Sequence, residues 1–177
     1  MSPFFPPKWA GGLPDTVARI SKASDILFDE SVNLLDNNGF SIVNRSQNRN
    51  INISLKAWQS YKLFGFVLEK KYIPQKQFRE FNYVYLRSLF EDEAPEQGEL
   101  FETLCSYMMP YQERYLEDIS LFTNDLCIYI TGHVDKQQGE LLSPLIEHTS
   151  IIIYYYAAIL FKDRRGEAEL KRYLESF

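Results

Sequence analysis

The 177-residue chain is 45% hydrophobic and 24% charged, which indicates a single soluble globular domain with a full core. Its net charge of −5 and its pI of about 5.1 argue against a dedicated DNA-binding protein. Its two cysteines provide neither a disulfide framework nor a metal-ligand cluster.

The sign of the charge changes partway along the chain. Between Asn37 and Phe90 there are nine basic residues and two acids, a net charge of +7. Between Glu91 and Phe161 there are two basic residues and thirteen acids, a net charge of −11. A surface polarised in this way would bias the approach of charged partners. The two blocks could equally face each other within one bundle.

The N-terminal third begins with a segment that cannot be a continuous helix. Residues 1–14 are rich in proline and aromatic side chains, and we expect an extended arm that either packs along the domain or docks on a partner. A helix then begins at Pro14 and ends near Gly39, a residue suited to a left-handed helix end. Residues 40–54 combine β-branched pairs with a polar turn, which predicts a small β-hairpin or an irregular polar loop.

The remainder of the chain shows the apolar spacing of helices. The sequence predicts an all-α, single-domain bundle of about six to seven helices over residues 15–177. The later helices are expected at 55–70, 75–90, 97–120, 121–132, 139–162 and 167–176.

The most apolar of these helices invites comparison with a membrane span. Residues 141–161 are mostly apolar, but the uninterrupted apolar run covers only 151–161, roughly 16 Å of helix or half of a hydrocarbon core. We therefore predict no membrane span and a central bundle helix instead. Pro144 is expected to break the beginning of this helix.

The strongest candidate binding site is the acid-free polar stretch around residues 45–50. Arg45 and Arg49, with the amide of Asn48 between them and Lys56 nearby, could hold a phosphate, a carboxylate or a nucleic-acid backbone. The same stretch fits a solvated turn, because Asn and Ser favour turns for conformational reasons.

A second candidate surface is a tyrosine stripe at helical spacing. Tyr107, Tyr111 and Tyr115 bracket a flexible methionine pair, which suits an adaptable recognition groove and equally an ordinary core seam.

The sequence contains no recognised catalytic motif. A nucleophile elbow, a phosphate-binding loop, a dinucleotide fingerprint and an EF-hand pattern are all missing, and the acidic run at 91–102 is explained as a helix start. His148 and Glu147 would point about 100° apart on a helix, so they would not converge on one ligand. We therefore interpret His148 as a core histidine whose hydrogen bonds are satisfied. Cys105 and Cys127 read as buried thiols. We expect no catalytic residue, metal or cofactor.

These observations favour a non-enzymatic protein-interaction or regulatory module that binds another protein or a second copy of itself. The N-terminus lacks a signal-peptide pattern, so we expect a cytoplasmic protein. One alternative is an enzyme or a binder of a small anionic ligand at the Arg45–Arg49 turn, closed by His148. The third hypothesis is single-stranded nucleic-acid binding, with Trp58 or Tyr61 as stacking platforms.

Overall fold

A computed structural model describes residues 12–42, 48–90 and 124–176 apart from 125, 129 and 134, with residues 48–54 described by their backbone alone. Within these ranges the chain is all-α, as predicted, and none of the described residues lies in a β-strand. The predicted helix at 97–120, the acidic run at 91–102 and Cys105 lie outside them. The helices, in chain order, are α1 (Leu13–Asn37), α2 (Asn48–Glu69), α3 (Gln75–Phe90), α4 (Lys136–Leu160) and α5 (Arg164–Leu174).

A shorter helical stretch precedes α4, at the position of the predicted helix 121–132. Residues 126–128 and 130–131 are helical, and Cys127 is buried there as a free thiol whose pKa burial raises to about 11. The Thr131 hydroxyl contacts the side-chain oxygen of Gln138 at 3.1 Å, which joins this stretch to α4.

The prediction of a hairpin or loop over residues 40–54 is wrong for its second half, because α2 begins at Asn48. Ile51 stands four residues before Leu55 and seven before Trp58, and both of these side chains are fully buried. The helical period of the core therefore continues back into the Asn-rich stretch. The helix that carries Leu55 and Trp58 thus extends through residues whose local preference is for β structure.

The expected break at Pro144 is also wrong, because α4 starts at Lys136 and continues through this proline. Asp135 caps the helix three residues earlier than the sequence indicated, since its carboxylate accepts a hydrogen bond from the Gln137 amide at 2.7 Å. Pro144 is exposed, so water can solvate the carbonyl of Glu140 that loses its helical partner.

Three of the described helices end in a Schellman motif, in which an amide beyond the helix bonds back to a carbonyl in its last turn. The three bonds are Phe40 N to Leu35 O at 3.1 Å, Tyr72 N to Val67 O at 3.2 Å and Asp163 N to Ala158 O at 2.9 Å. The left-handed residue after α1 is Gly39, as predicted, with φ of 81°. After α2 and α4 it is a lysine, Lys71 at 54° and Lys162 at 58°.

The core forms where α1, α2, α3 and α4 meet. Helix α4 packs against α1, α2 and α5, whereas α3 packs against α1 and α2. An aromatic cluster fills the α2–α3 contact, where the Phe64 ring lies edge-on to Tyr85 at 5.4 Å between centroids. Phe81, Tyr85 and Leu89 are buried on one face of α3, as the sequence predicted. No helix in the described ranges is long and apolar enough to cross a membrane.

A buried polar contact fixes α1 against α2. The Gln59 side-chain amide of α2 donates to the Ile20 carbonyl of α1 at 2.9 Å and also contacts the Ser24 hydroxyl. Because a buried amide is costly when unpaired, this contact specifies how the two helices align.

Candidate functional site

The predicted anion site falls largely outside the described residues. Arg45 is not described, and Asn48 and Arg49 occupy the first turn of α2 with only their backbone described. Arg49 therefore belongs to a helix rather than to a turn. Lys56 is half-buried, and its ammonium lies 5.6 Å from the centroid of the Phe90 ring. The anion site remains a prediction, as does the tyrosine stripe at Tyr107, Tyr111 and Tyr115, which also lies outside the described residues.

The nucleic-acid hypothesis loses one of its stacking platforms. Trp58 is fully buried in the core and cannot stack on a base, while Tyr61 is half-buried. Several basic side chains of the α2–α3 region do reach solvent. Those that are exposed are Lys70, Lys71, Lys76, Arg79 and Arg87.

A groove of about 540 Å³ lies along the contact of α1 and α4, and we call it the α1/α4 groove. Its floor includes the buried residues Ala23, Leu27 and Thr149. Ile26 stands at its edge with 48% of its surface exposed, a large exposed fraction for an isoleucine. The remaining lining residues are Arg19, Lys22, Glu30, Leu145, His148, Ile152 and Tyr156.

The two helices that form this groove run antiparallel. A Cβ atom on Gly12, just before α1, would lie 3.2 Å from Leu160 at the end of α4, and the Arg19 guanidinium lies 5.6 Å from the Tyr156 ring centroid. The lining residues extend from Arg19 to Glu30 on α1, a rise of roughly 16 Å at 1.5 Å per residue. The groove is therefore about three helical turns long.

The two ends of the α1/α4 groove differ in charge. Arg19 and Lys22 make one end cationic, and Glu30 lies toward the other. Hydrogen bonds to Tyr156 and Asp15 raise the pKa of Arg19, and its Nε lies 2.9 Å from the Asp15 carboxylate. These contacts hold the Arg19 side chain in place. The Lys22 side chain is exposed.

His148 lines the α1/α4 groove and is half-buried. Glu147 is exposed and lines a different groove on α4. The two side chains diverge, as predicted for neighbours on a helix. Among the described residues, no three histidine, cysteine or acidic side chains are grouped as metal ligands would be.

Sequence reasoning missed the α1/α4 groove because it joins helices more than a hundred residues apart. One signal was present: His148, Ile152 and Tyr156 recur every four residues and mark one face of α4. Comparison of the chain with protein families, curated proteins and solved structures found no match.

Proposed function

We propose that the chain is a non-enzymatic protein-interaction module whose α1/α4 groove receives an amphipathic helix of a partner protein. The observation that carries this proposal is an apolar groove, about three turns long, with opposite charges toward its two ends. Helices commonly bind such grooves through apolar side chains at i, i+3 or i+4, and i+7.

The charges specify which helix fits. Acidic side chains at one end of the partner's apolar stripe would face Arg19 and Lys22. Basic side chains at its other end would face Glu30. Complementary charges of this kind contribute mainly to specificity and to the association rate, while apolar burial supplies most of the affinity.

The shape of the groove favours a helix over an extended strand. Both of its walls are helices, and none of the described residues forms a sheet edge to which a strand could add. A third helix lying along α1 and α4 would bury Ile26 together with the half-buried Leu145 and Ile152.

Fluorescein-labelled peptides provide a direct test. One probe has a leucine stripe at helical spacing with acidic residues at one end and basic residues at the other, and a second probe has glutamine in place of every charge. Fluorescence anisotropy should show that the charged probe binds about tenfold or more tightly at low salt, with an advantage that shrinks at high salt.

Matched variants locate the binding site. Ile26→Glu should weaken binding of both probes because it places a charge on the apolar lining. Leu68→Glu alters a comparably exposed side chain on α2, 46% exposed, and should leave binding unchanged. Lys22→Glu should weaken the charged probe alone. Failure of both probes to bind, or equal loss in the Leu68 and Ile26 variants, would contradict the proposal.

A further inference from the structure

A second groove, of about 450 Å³, lies on another face of α4 where it meets α2. We call it the α2/α4 groove, and its volume is within the range of about 300–1,000 Å³ that is typical of small-molecule sites. One cation, one carboxylate, three hydroxyls and two isoleucines line it. They are Lys62 from α2 and Ser143, Ile146, Glu147, Ser150, Ile151 and Tyr154 from α4.

Lys62 lies in this groove as a half-buried ammonium group. Burial lowers the pKa of Lys62, because an environment poor in water disfavours the charged form. No described carboxylate pairs with it, not even Glu147 in the same groove. Among the described residues, the Tyr61 ring offers the Lys62 ammonium a cation–π contact, with its centroid 5.9 Å from Nζ. An anion bound in the groove would offset more of the cost of holding this cation partly out of water.

The rest of the groove provides apolar contact and hydroxyl groups in fixed positions. Ile146 is buried at its base, and Ile151 is half-buried. The Tyr154 ring stacks on Phe66 with centroids 4.4 Å apart and planes within 14°, which fixes its orientation. The Ser150 hydroxyl donates to the Ile146 carbonyl at 2.9 Å. An occupant would therefore contact aliphatic side chains over most of its surface and polar groups at few points.

The charge balance favours a singly charged anion over a phosphate dianion. Among the described residues that line the α2/α4 groove, Lys62 is the single cation, and Glu147 lies in the groove as well. Glu69 also acts on this region, since its charge contributes to the raised pKa of Tyr154, after the larger effect of burial. A dianion would be repelled by these carboxylates, whereas a single carboxylate on an aliphatic body needs only one ammonium.

We propose that the α2/α4 groove binds a small amphipathic carboxylate, whose carboxylate pairs with Lys62 and whose aliphatic portion packs on Ile146 and Ile151. This site is separate from the α1/α4 groove and does not depend on helix binding there. The class of ligand that the groove chemistry would recognise is a short-chain or branched-chain carboxylate.

Four probes distinguish this class from other ligands: hexanoate, acetate, hexylamine and inorganic phosphate. Isothermal titration calorimetry at neutral pH should detect hexanoate binding and weaker binding of acetate, which lacks the aliphatic body. Hexylamine and phosphate should bind more weakly than hexanoate. Lys62→Met should reduce hexanoate affinity about tenfold or more, while Lys76→Met, an exposed lysine on α3, should not change it.

A second measurement does not depend on how the variant folds. In the unmutated protein, the side-chain NMR signals of Lys62 should shift as hexanoate saturates, because the bound carboxylate lies against the ammonium group and changes its electrostatic environment. The proposal is overturned if hexanoate does not bind, if hexylamine or phosphate binds as tightly, or if hexanoate binds without moving the Lys62 signals.

Discussion

Replacing Asp163 with alanine should destabilise the fold, because this carboxylate joins two turns. Its Oδ1 accepts a hydrogen bond from the Gly166 amide at 2.9 Å and caps α5. Its Oδ2 accepts a hydrogen bond from the Tyr72 hydroxyl at 2.8 Å. Tyr72 lies in the turn between α2 and α3. The Tyr72 ring stacks on Phe161 with centroids 5.0 Å apart, so the two turns also share an apolar contact.

The magnitude follows from these two contacts. Loss of an N-cap side chain costs about 1 kcal/mol. The hydroxyl–carboxylate bond is partly exposed, so it contributes about 1 kcal/mol, below the usual range for a charged acceptor. Asp163→Ala should therefore lower the free energy of unfolding by about 2 kcal/mol, or roughly 4–8 °C in Tm for a chain of this size. Asp163→Asn should lose less, because asparagine is also a good N-cap residue.

Urea denaturation followed by circular dichroism measures both effects. A double-mutant cycle with Tyr72→Phe should give a coupling energy of about 1 kcal/mol. Asp25→Ala, which removes an exposed carboxylate on α1, is the control and should leave stability nearly unchanged. If Asp163→Ala is as stable as the Asp25 variant, or if the cycle shows no coupling, Asp163 does not join the two turns in the way described.

The same contacts give a pH dependence. Hydrogen bonds from the Gly166 amide and the Tyr72 hydroxyl lower the pKa of Asp163, so the folded state favours the carboxylate. This contribution is present above the ordinary aspartate pKa of about 3.9 and is lost as the pH falls through the lowered folded value. The difference in stability between the unmutated protein and Asp163→Ala should therefore shrink in acid.

Two further predictions concern stability. Lys71→Gly and Lys162→Gly should each raise the free energy of unfolding by up to about 0.5 kcal/mol. Glycine removes the strain of a left-handed lysine backbone, and this gain outweighs the greater flexibility of glycine in the unfolded chain. Urea denaturation would measure the change, and a loss of stability would contradict the prediction. Burial raises the pKa of Tyr72 and Tyr85, so the fold favours their neutral form; the stability that depends on this form is complete below pH 10 and is lost as the pH rises further. Tyr85→Phe should therefore move the midpoint of alkaline unfolding to higher pH. Circular dichroism would measure this midpoint, and an unchanged value would contradict the prediction.

Most helix positions followed from the sequence because α1, α2, α3 and α4 all bury apolar side chains at helical spacing in the core. The range predicted for α3 matches the structure, and α1 begins within two residues of its expected start. Errors arose where local preference opposed packing. The Asn-rich start of α2 and Pro144 in α4 both read as breaks, but the helices around them pack well enough to continue.

The grooves could not be predicted in the same way. A helical pattern shows which residues share a face, but it does not show which helix that face meets. In the sequence, nothing distinguishes Lys62 from the basic residues around it. Its position beside α4 shows that it is half-buried. The α1/α4 groove likewise depends on an antiparallel pairing of distant helices.

The pairing of helices also explains why α4 is so apolar. Three consecutive isoleucines point in three directions: Ile151 lines the α2/α4 groove, Ile152 lines the α1/α4 groove, and Ile153 is fully buried in the core. The neighbouring tyrosines repeat the division, since Tyr154 lines one groove and Tyr156 the other. A helix that serves a core and two grooves must be apolar on three faces. An all-round apolar stretch therefore follows here from two grooves flanking one core contact.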